Sequence, residues 1–305
     1  MHNHSHNSHH YKHSHHSHKV NNLKNLLIVL IITAFYMVAE FFGGLITNSL
    51  ALLADSGHML SDVASLALSF VAIWFVQKHA TSDKTYGYQR AEIIAAFVNG
   101  LALVVISILI FIEAFERLFN VEPVNALTMI YIALGGLVVN IIGAFILHRG
   151  CEENLNVKGA FLHVIADLLG SIGAIIAGCC IYFYGLNIAD PIISFVIGLL
   201  VLVSSYGIIK PSFNILMENA PEGLEADKII VALKEIDGVL DVYDLHIWSI
   251  NANSVALSVH LVSNHIKSEE VLHRAQHVLE EQFEILHSTI QIESPESNSQ
   301  SCIFD

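Results

Sequence analysis

The 305-residue chain predicts a polytopic α-helical membrane protein: six transmembrane helices carrying a small α+β domain at the C-terminal end. Three observations lead there. The chain is 54% hydrophobic and only 14% charged, against roughly 25% charged in an ordinary soluble domain, and its mean hydropathy is +0.58. Six apolar runs reach the ~20 residues needed to cross a bilayer. After Pro211 the composition turns abruptly amphipathic.

The elements follow in order. Residues 1–22 open with "MHNHSHNSHHYKHSHHSHK", which holds nine of the 19 histidines: His2, His4, His6, His9, His10, His13, His15, His16 and His18. Such a segment has nothing to bury and is expected to be disordered. Imidazoles at this density bind Zn²⁺, Ni²⁺ or Cu²⁺ weakly and reversibly, so the segment reads as a metal-collecting arm. It lacks the short apolar core and cleavage site of a signal peptide.

Residues 23–210 read as the membrane region, with spans at about 24–46, 50–76, 91–119, 124–147, 157–184 and 189–209. The breaks carry turn residues, as in "TNS", "NVEP" and "YGLNIADP". With the N-terminus inside, the inner flanks hold Lys12, Lys19, Lys24, Lys78, Lys84, Arg90, Arg149, Lys158 and Lys210, and the outer flanks only Arg117. The positive-inside rule then predicts both termini in the cytoplasm. Residues 211–294 read as helix, strand, strand, helix, strand: "EGLEADKIIVALKEI", "GVLDVYDLHIWSI", "SVALSVHLVS", "SEEVLHRAQHVLEEQFEI" and "STIQIE". A domain of this size has a modest core, which pairing across a dimer would help. Residues 295–305 are a polar tail.

Composition also excludes. A formal net charge of -14, with no basic patch carrying aromatics, argues against nucleic-acid binding. Cys151, Cys179, Cys180 and Cys302 show no CxxC spacing, hence neither a disulfide framework nor a cysteine zinc finger.

Chemistry is concentrated in the spans. "SGHMLSDVASLAL" sets His58 and Asp62 one helical turn apart inside an apolar run, where an uncompensated Asp costs roughly 3 kcal/mol. "HVIADLLGSIGA" repeats the pattern with His163 and Asp167. At i, i+4 each pair lies on one helical face. Two pairs between packed helices offer two imidazole nitrogens and two carboxylates, a tetrahedral donor set for a zinc-like ion. Asp55 lies on much the same face as His58 and is open between a supporting and a packing role. Glu40 and Glu113 also fall inside spans, with roles the sequence leaves open. Asp190, before Pro191, reads as the N-cap of the sixth span. In the C-terminal domain His246 and His260 fall on adjacent strands, and His287 and Glu293 bracket the last. His273 and His277 are i, i+4 on the second helix, where a solvated face is the simpler reading.

The stretches "NSLALLADSGHMLSD", "YGYQRAEIIAAFVNG", "LHVIADLLGSIGAI", "ADPIISFVIG", "LMENAPE", "DLHIWSI" and "STIQIESP" resemble the cation diffusion facilitators. The likeness is to the bacterial cadmium/cobalt/zinc resistance exporters and the vesicular zinc transporters of animals, and it covers nearly all of the chain from Val20 onward. It implies a transport site of His58, Asp62, His163 and Asp167 and a homodimer that exchanges cytoplasmic Zn²⁺, together with Cd²⁺ or Co²⁺, for protons. The C-terminal domain would be a ferredoxin- or metallochaperone-like fold binding further zinc through His246, His260, His287 and Glu293, with Cys302 and the arm as partners. An ion pair of Arg90 with Glu218 near the dimer seam is implied too, and a bacterial cell membrane as the location. The competing classes are an intramembrane zinc enzyme and a membrane-bound metal sensor. The first lacks HExxH and an open water position; the second leaves six spans unexplained.

Overall fold

The computed structural model describes residues 15–76, 81–148, 155–251, 254–264 and 268–295. His2, His4, His6, His9, His10, His13 and Cys302 lie outside them. Six long helices come first: α1 (His15–Thr47), α2 (Leu50–Val76), α3 (Ala91–Phe119), α4 (Ala126–His148), α5 (Leu155–Tyr184) and α6 (Ala189–Leu216). Five described stretches are long and apolar enough to cross a membrane, in α1, α3, α4, α5 and α6. α2 has 27 residues, about 40 Å at 1.5 Å per residue, and so exceeds the ~30 Å apolar layer. Phe35 is 80% exposed and Phe145 71%; lipid removes the penalty that water would impose on such faces.

Two boundaries differ from the sequence reading. α1 begins at His15, so residues 15–22 are helical, not part of a disordered arm. No Gly or Pro interrupts them, and extending an existing helix adds one hydrogen bond per residue without the cost of nucleation. α6 runs through Pro211 to Leu216. Proline leaves the Gly207 carbonyl without its helical donor, and the Ser212 hydroxyl donates to the neighbouring Ile208 carbonyl at 2.8 Å.

The chain divides into two compact units, residues 1–63 with 103–202, and residues 64–102 with 203–305. In the first, the Tyr36 hydroxyl donates to the Ile132 carbonyl of α4 at 2.7 Å. Gly136 makes room for that ring, since a Cβ there would lie 2.6 Å from the hydroxyl. Asn140 of α4 donates to Ser171 of α5 at 3.4 Å. The turn between α1 and α2 places Asn48 at φ 58°, and Ser49 N–H closes it on the Gly44 carbonyl at 3.0 Å, a helix-ending geometry that Asn tolerates. Arg117 locks the turn through the Asn48 carbonyl (2.7 Å) and side-chain oxygen (3.0 Å).

In the second unit Phe97 of α3 stacks near Phe213 of α6. The C-terminal domain follows as α7 (Ala226–Lys234), β1 (Val239–Asn251), β2 (Ser254–Ser263), α8 (Ser268–Phe283) and β3 (His287–Glu293), the expected αββαβ order. The sheet order is β1-β2-β3, antiparallel between β1 and β2 and parallel between β2 and β3. Ile229 and Leu233 of α7 and Val271, Ala275 and Leu279 of α8 cover one sheet face, packing on Leu257, Val259 and Leu261 of β2. Alternation then turns Ser258 and His260 to the other face.

Candidate metal centre

In the first unit α2 and α5 bring two of the four membrane residues together. His58 Nε2 lies 3.5 Å from Asp167 Oδ1, with His58 15% and Asp167 3% exposed. Two donors each 2.0–2.1 Å from a tetrahedral ion sit about 3.3 Å apart, so this distance is that of one edge of a zinc tetrahedron. Asp62 lies one turn after His58, and His163 one turn before Asp167, on the same helices; their side chains lie outside the described ones. Among the described residues no three donors already meet at one point.

Close helix approach carries this pairing. Gly170, three residues after Asp167, lies against Asp55 of α2, and a Cβ there would sit 2.9 Å from Asp55 Oδ1. Asp55 is therefore packed against α5 beside the site. Behind it Glu40 is fully buried and accepts from the Tyr36 hydroxyl at 3.3 Å. Glu113 takes part in an i, i+4 pair with Arg117 at 2.8 Å, which supports the α1–α2 turn. Asp190 differs from the sequence reading: it caps α2, not its own helix. Its carboxylate accepts from the Ser49 hydroxyl (2.6 Å) and from the Leu50 (2.8 Å) and Ala51 (3.3 Å) amides. The two amides are orphan donors of the helix that carries His58 and Asp62.

In the C-terminal domain the open sheet face carries a second polar cluster. His246 Nε2 is 3.0 Å from Asp244 Oδ1, His260 Nε2 is 3.8 Å from Asp244 Oδ2, and His260 Nδ1 is 2.9 Å from Glu293 Oε1. Glu293 is buried and also accepts from Tyr243 (2.7 Å) and Gln291 (2.7 Å). His287 stands apart: it pairs with Ala256 in the β2–β3 register while His260 pairs with Gln291, four residues or about 13 Å along the strand. Its ring instead approaches Tyr86. Sequence reasoning missed Asp244. Its one signal was a place two residues before His246, but the bulge that turns it toward His260 has no mark in the sequence.

The same unit joins the expected ion pair, Arg90 Nη2 lying 2.9 Å from Glu218 Oε1. Both line a cavity of about 780 Å³ with Tyr86, Gln89, His246 and Trp248.

A carboxylate and an imidazole facing each other between apolar spans suit a divalent cation in transit. Residues 26–217 match the cation efflux transmembrane domain, and residues 221–295 match the cation efflux protein cytoplasmic domain. The chain belongs to the cation efflux family. It is therefore a multi-pass membrane transporter of metal ions and not an enzyme. Among this family's members, a cadmium, cobalt and zinc/H(+)-K(+) antiporter of Bacillus subtilis is 44% identical over 275 residues, 88% of each chain. The zinc transporter ZitB of Escherichia coli is 42% identical, over 89% of this chain and 87% of its own. The metal-bound C-terminal domain of the CzcD transporter from Cuprividus metallidurans is 32% identical over 23% of this chain and 99% of its own, with a TM-score of 0.22.

Proposed function

We propose that this cation efflux protein is a proton-coupled antiporter that exports Zn²⁺, and with it Cd²⁺ and Co²⁺, from the cytoplasm through His58, Asp62, His163 and Asp167. The observation that carries the reading is the 3.5 Å edge between His58 and Asp167, formed by helices about a hundred residues apart in the chain. The relatives named for zinc, cadmium and cobalt support the choice of ion.

Coupling follows from charge. Two carboxylates and two neutral imidazoles carry a net charge of two negative units, which one divalent cation or two protons cancel. The bare site would be costly at membrane depth, so the carrier is most readily reoriented when loaded one way or the other. Metal needs deprotonated donors, and protons compete for the same atoms. Zn²⁺ leaving outward as protons enter is the resulting exchange.

The protein works in this reading as a homodimer in a bacterial cell membrane, with both termini cytoplasmic and the histidine arm gathering metal. The test is Zn²⁺ uptake into liposomes holding the purified protein, with and without an imposed pH gradient. Acceleration by the gradient is expected; uptake indifferent to it would remove the proton from the mechanism.

A further inference from the structure

Two buried charges from different helices converge on one turn. Asn48 and Ser49 join α1 to α2, and Arg117 of α3 and Asp190 of α6 hold that turn from either side. Arg117 donates to the Asn48 carbonyl at 2.7 Å, at the negative end of α1. Asp190 accepts from the Leu50 amide at 2.8 Å, at the positive end of α2. Each charge thus answers the helix end it faces. Asp190 is fully buried and Arg117 nearly so, and buried charges persist only where their partners compensate them. Neither belongs to the metal-donor set. Neighbouring loops add to the closure: the Asn48 side-chain amide donates to Glu122 at 2.7 Å, and the Asn125 backbone amide to the Thr47 carbonyl at 3.0 Å.

The turn sits beyond a tight point in the transport route. α2 runs inward from it and α5 runs outward, so Asp55 and Gly170 lie one turn outward of His58 and Asp167. A Cβ at Gly170 would lie 2.9 Å from Asp55 Oδ1, which means the two helices meet closely there. Asp62 and His163 lie on the inward side instead. A cation between His58 and Asp167 therefore meets packed helices outward, and it leaves that way only if α2 moves off α5. The turn anchors α2 about 12 Å beyond His58, eight residues at 1.5 Å each.

We propose that Arg117 and Asp190 are the positioning residues of an outer gate: they hold the α1–α2 turn onto α3 and α6, and the cation reaches the outside only when that turn is released. The sidedness rests on the orientation already proposed, with the N-terminus in the cytoplasm. The bonds that close the gate are charge-assisted and gathered at one turn, so they can part without unwinding either helix.

A reversible lock tests it. In a chain whose Cys151, Cys179, Cys180 and Cys302 are replaced by serine, Ser49→Cys with Asp190→Cys sets two thiols where the hydroxyl now donates to the carboxylate at 2.6 Å. Oxidation by diamide should lower Zn²⁺ uptake into liposomes at least ~10-fold, because a locked protein cannot reach its other state. Reduction should restore uptake, and Zn²⁺ bound per chain should stay the same throughout. A cap with only a structural role predicts the opposite, since a covalent bridge holds the turn at least as well as the native bonds; full uptake by the oxidised pair overturns the gate. Arg117→Gln, which keeps the Asp190 cap, decides independently of that pair. Combined with Ala54→Cys, at a buried position one turn into α2, it should speed reaction with a membrane-impermeant maleimide at the outer face of intact cells roughly 5-fold or more, the low end of typical coupling. An unchanged rate, acceleration from the cytoplasmic side alone, or equal acceleration at Ala133→Cys, buried in α4, overturns the proposal. This second arm needs no transport, so absence of Zn²⁺ uptake in the parent chain counts against the transport reading alone.

Discussion

The membrane pair and the sheet cluster use the same donor atoms in opposite settings. His58 and Asp167 meet between helices at 15% and 3% exposure, whereas His246 and Asp244 meet at an open sheet face at 46% and 27%. In the membrane no water can replace a missing ligand, so the ion or its substitute charge is close to obligatory. At the sheet face water is at hand to satisfy both groups. The difference teaches that the same donor chemistry carries a cost when it is buried between spans that it does not carry at an open sheet face.

The largest expected effect lies on the membrane side of that contrast. Asp62→Ala or Asp167→Ala should abolish Zn²⁺ transport in liposomes while the protein remains folded. Parental flux in either variant would break the contrast at its root. Asp190→Ala should come next, because it strips the α2 N-terminus of a carboxylate that satisfies two amides and a hydroxyl. Cap loss and stranded buried donors together suggest a destabilisation of about 1–3 kcal/mol, readable as a lower melting temperature in detergent.

His58→Asp should be milder. It exchanges a borderline nitrogen for a hard oxygen donor, so competition uptake should move the Zn²⁺/Mn²⁺ preference toward Mn²⁺; an unchanged ratio would show that the imidazole does not select.

The smallest effect lies on the outer surface of the soluble domain. Lys234 Nζ is 2.8 Å from Asp241, and that hydrogen bond, aided by the Val242 amide, lowers the Asp241 carboxyl below its usual range. A lowered folded-state value means the contribution is present above the unfolded carboxylate range, near pH 3.9, and is lost as pH falls through the folded value. Lys234→Ala should remove less than about 1 kcal/mol, as for other exposed pairs, seen as a shallower loss of stability between neutral and acid pH.

How much of this was legible beforehand depends on the period of each element. The i, i+4 pairs placed His58 with Asp62 and His163 with Asp167 because a helix repeats every 3.6 residues wherever it is buried. Apolar runs set the six helices, and alternation set the αββαβ order of the C-terminal domain. The start of α1 at His15 was not legible, since composition describes what a segment can bury and not whether a neighbouring helix extends into it.

By itself, then, the sequence determined the spans, the donor pairs on each helix and the strand pattern, all of them local and periodic. Only the tertiary structure decided which donors face one another: Asp167 opposite His58, Asp55 pressed on Gly170, Asp190 capping a helix about 140 residues away, and Asp244 drawn between His246 and His260. The last depends on one inserted residue in β1. A strand's faces alternate with period two, so a single bulge reverses every assignment beyond it, and whether that bulge forms is settled by the pairing with β2 and the packing of Val242 and Ile247 into the core on either side.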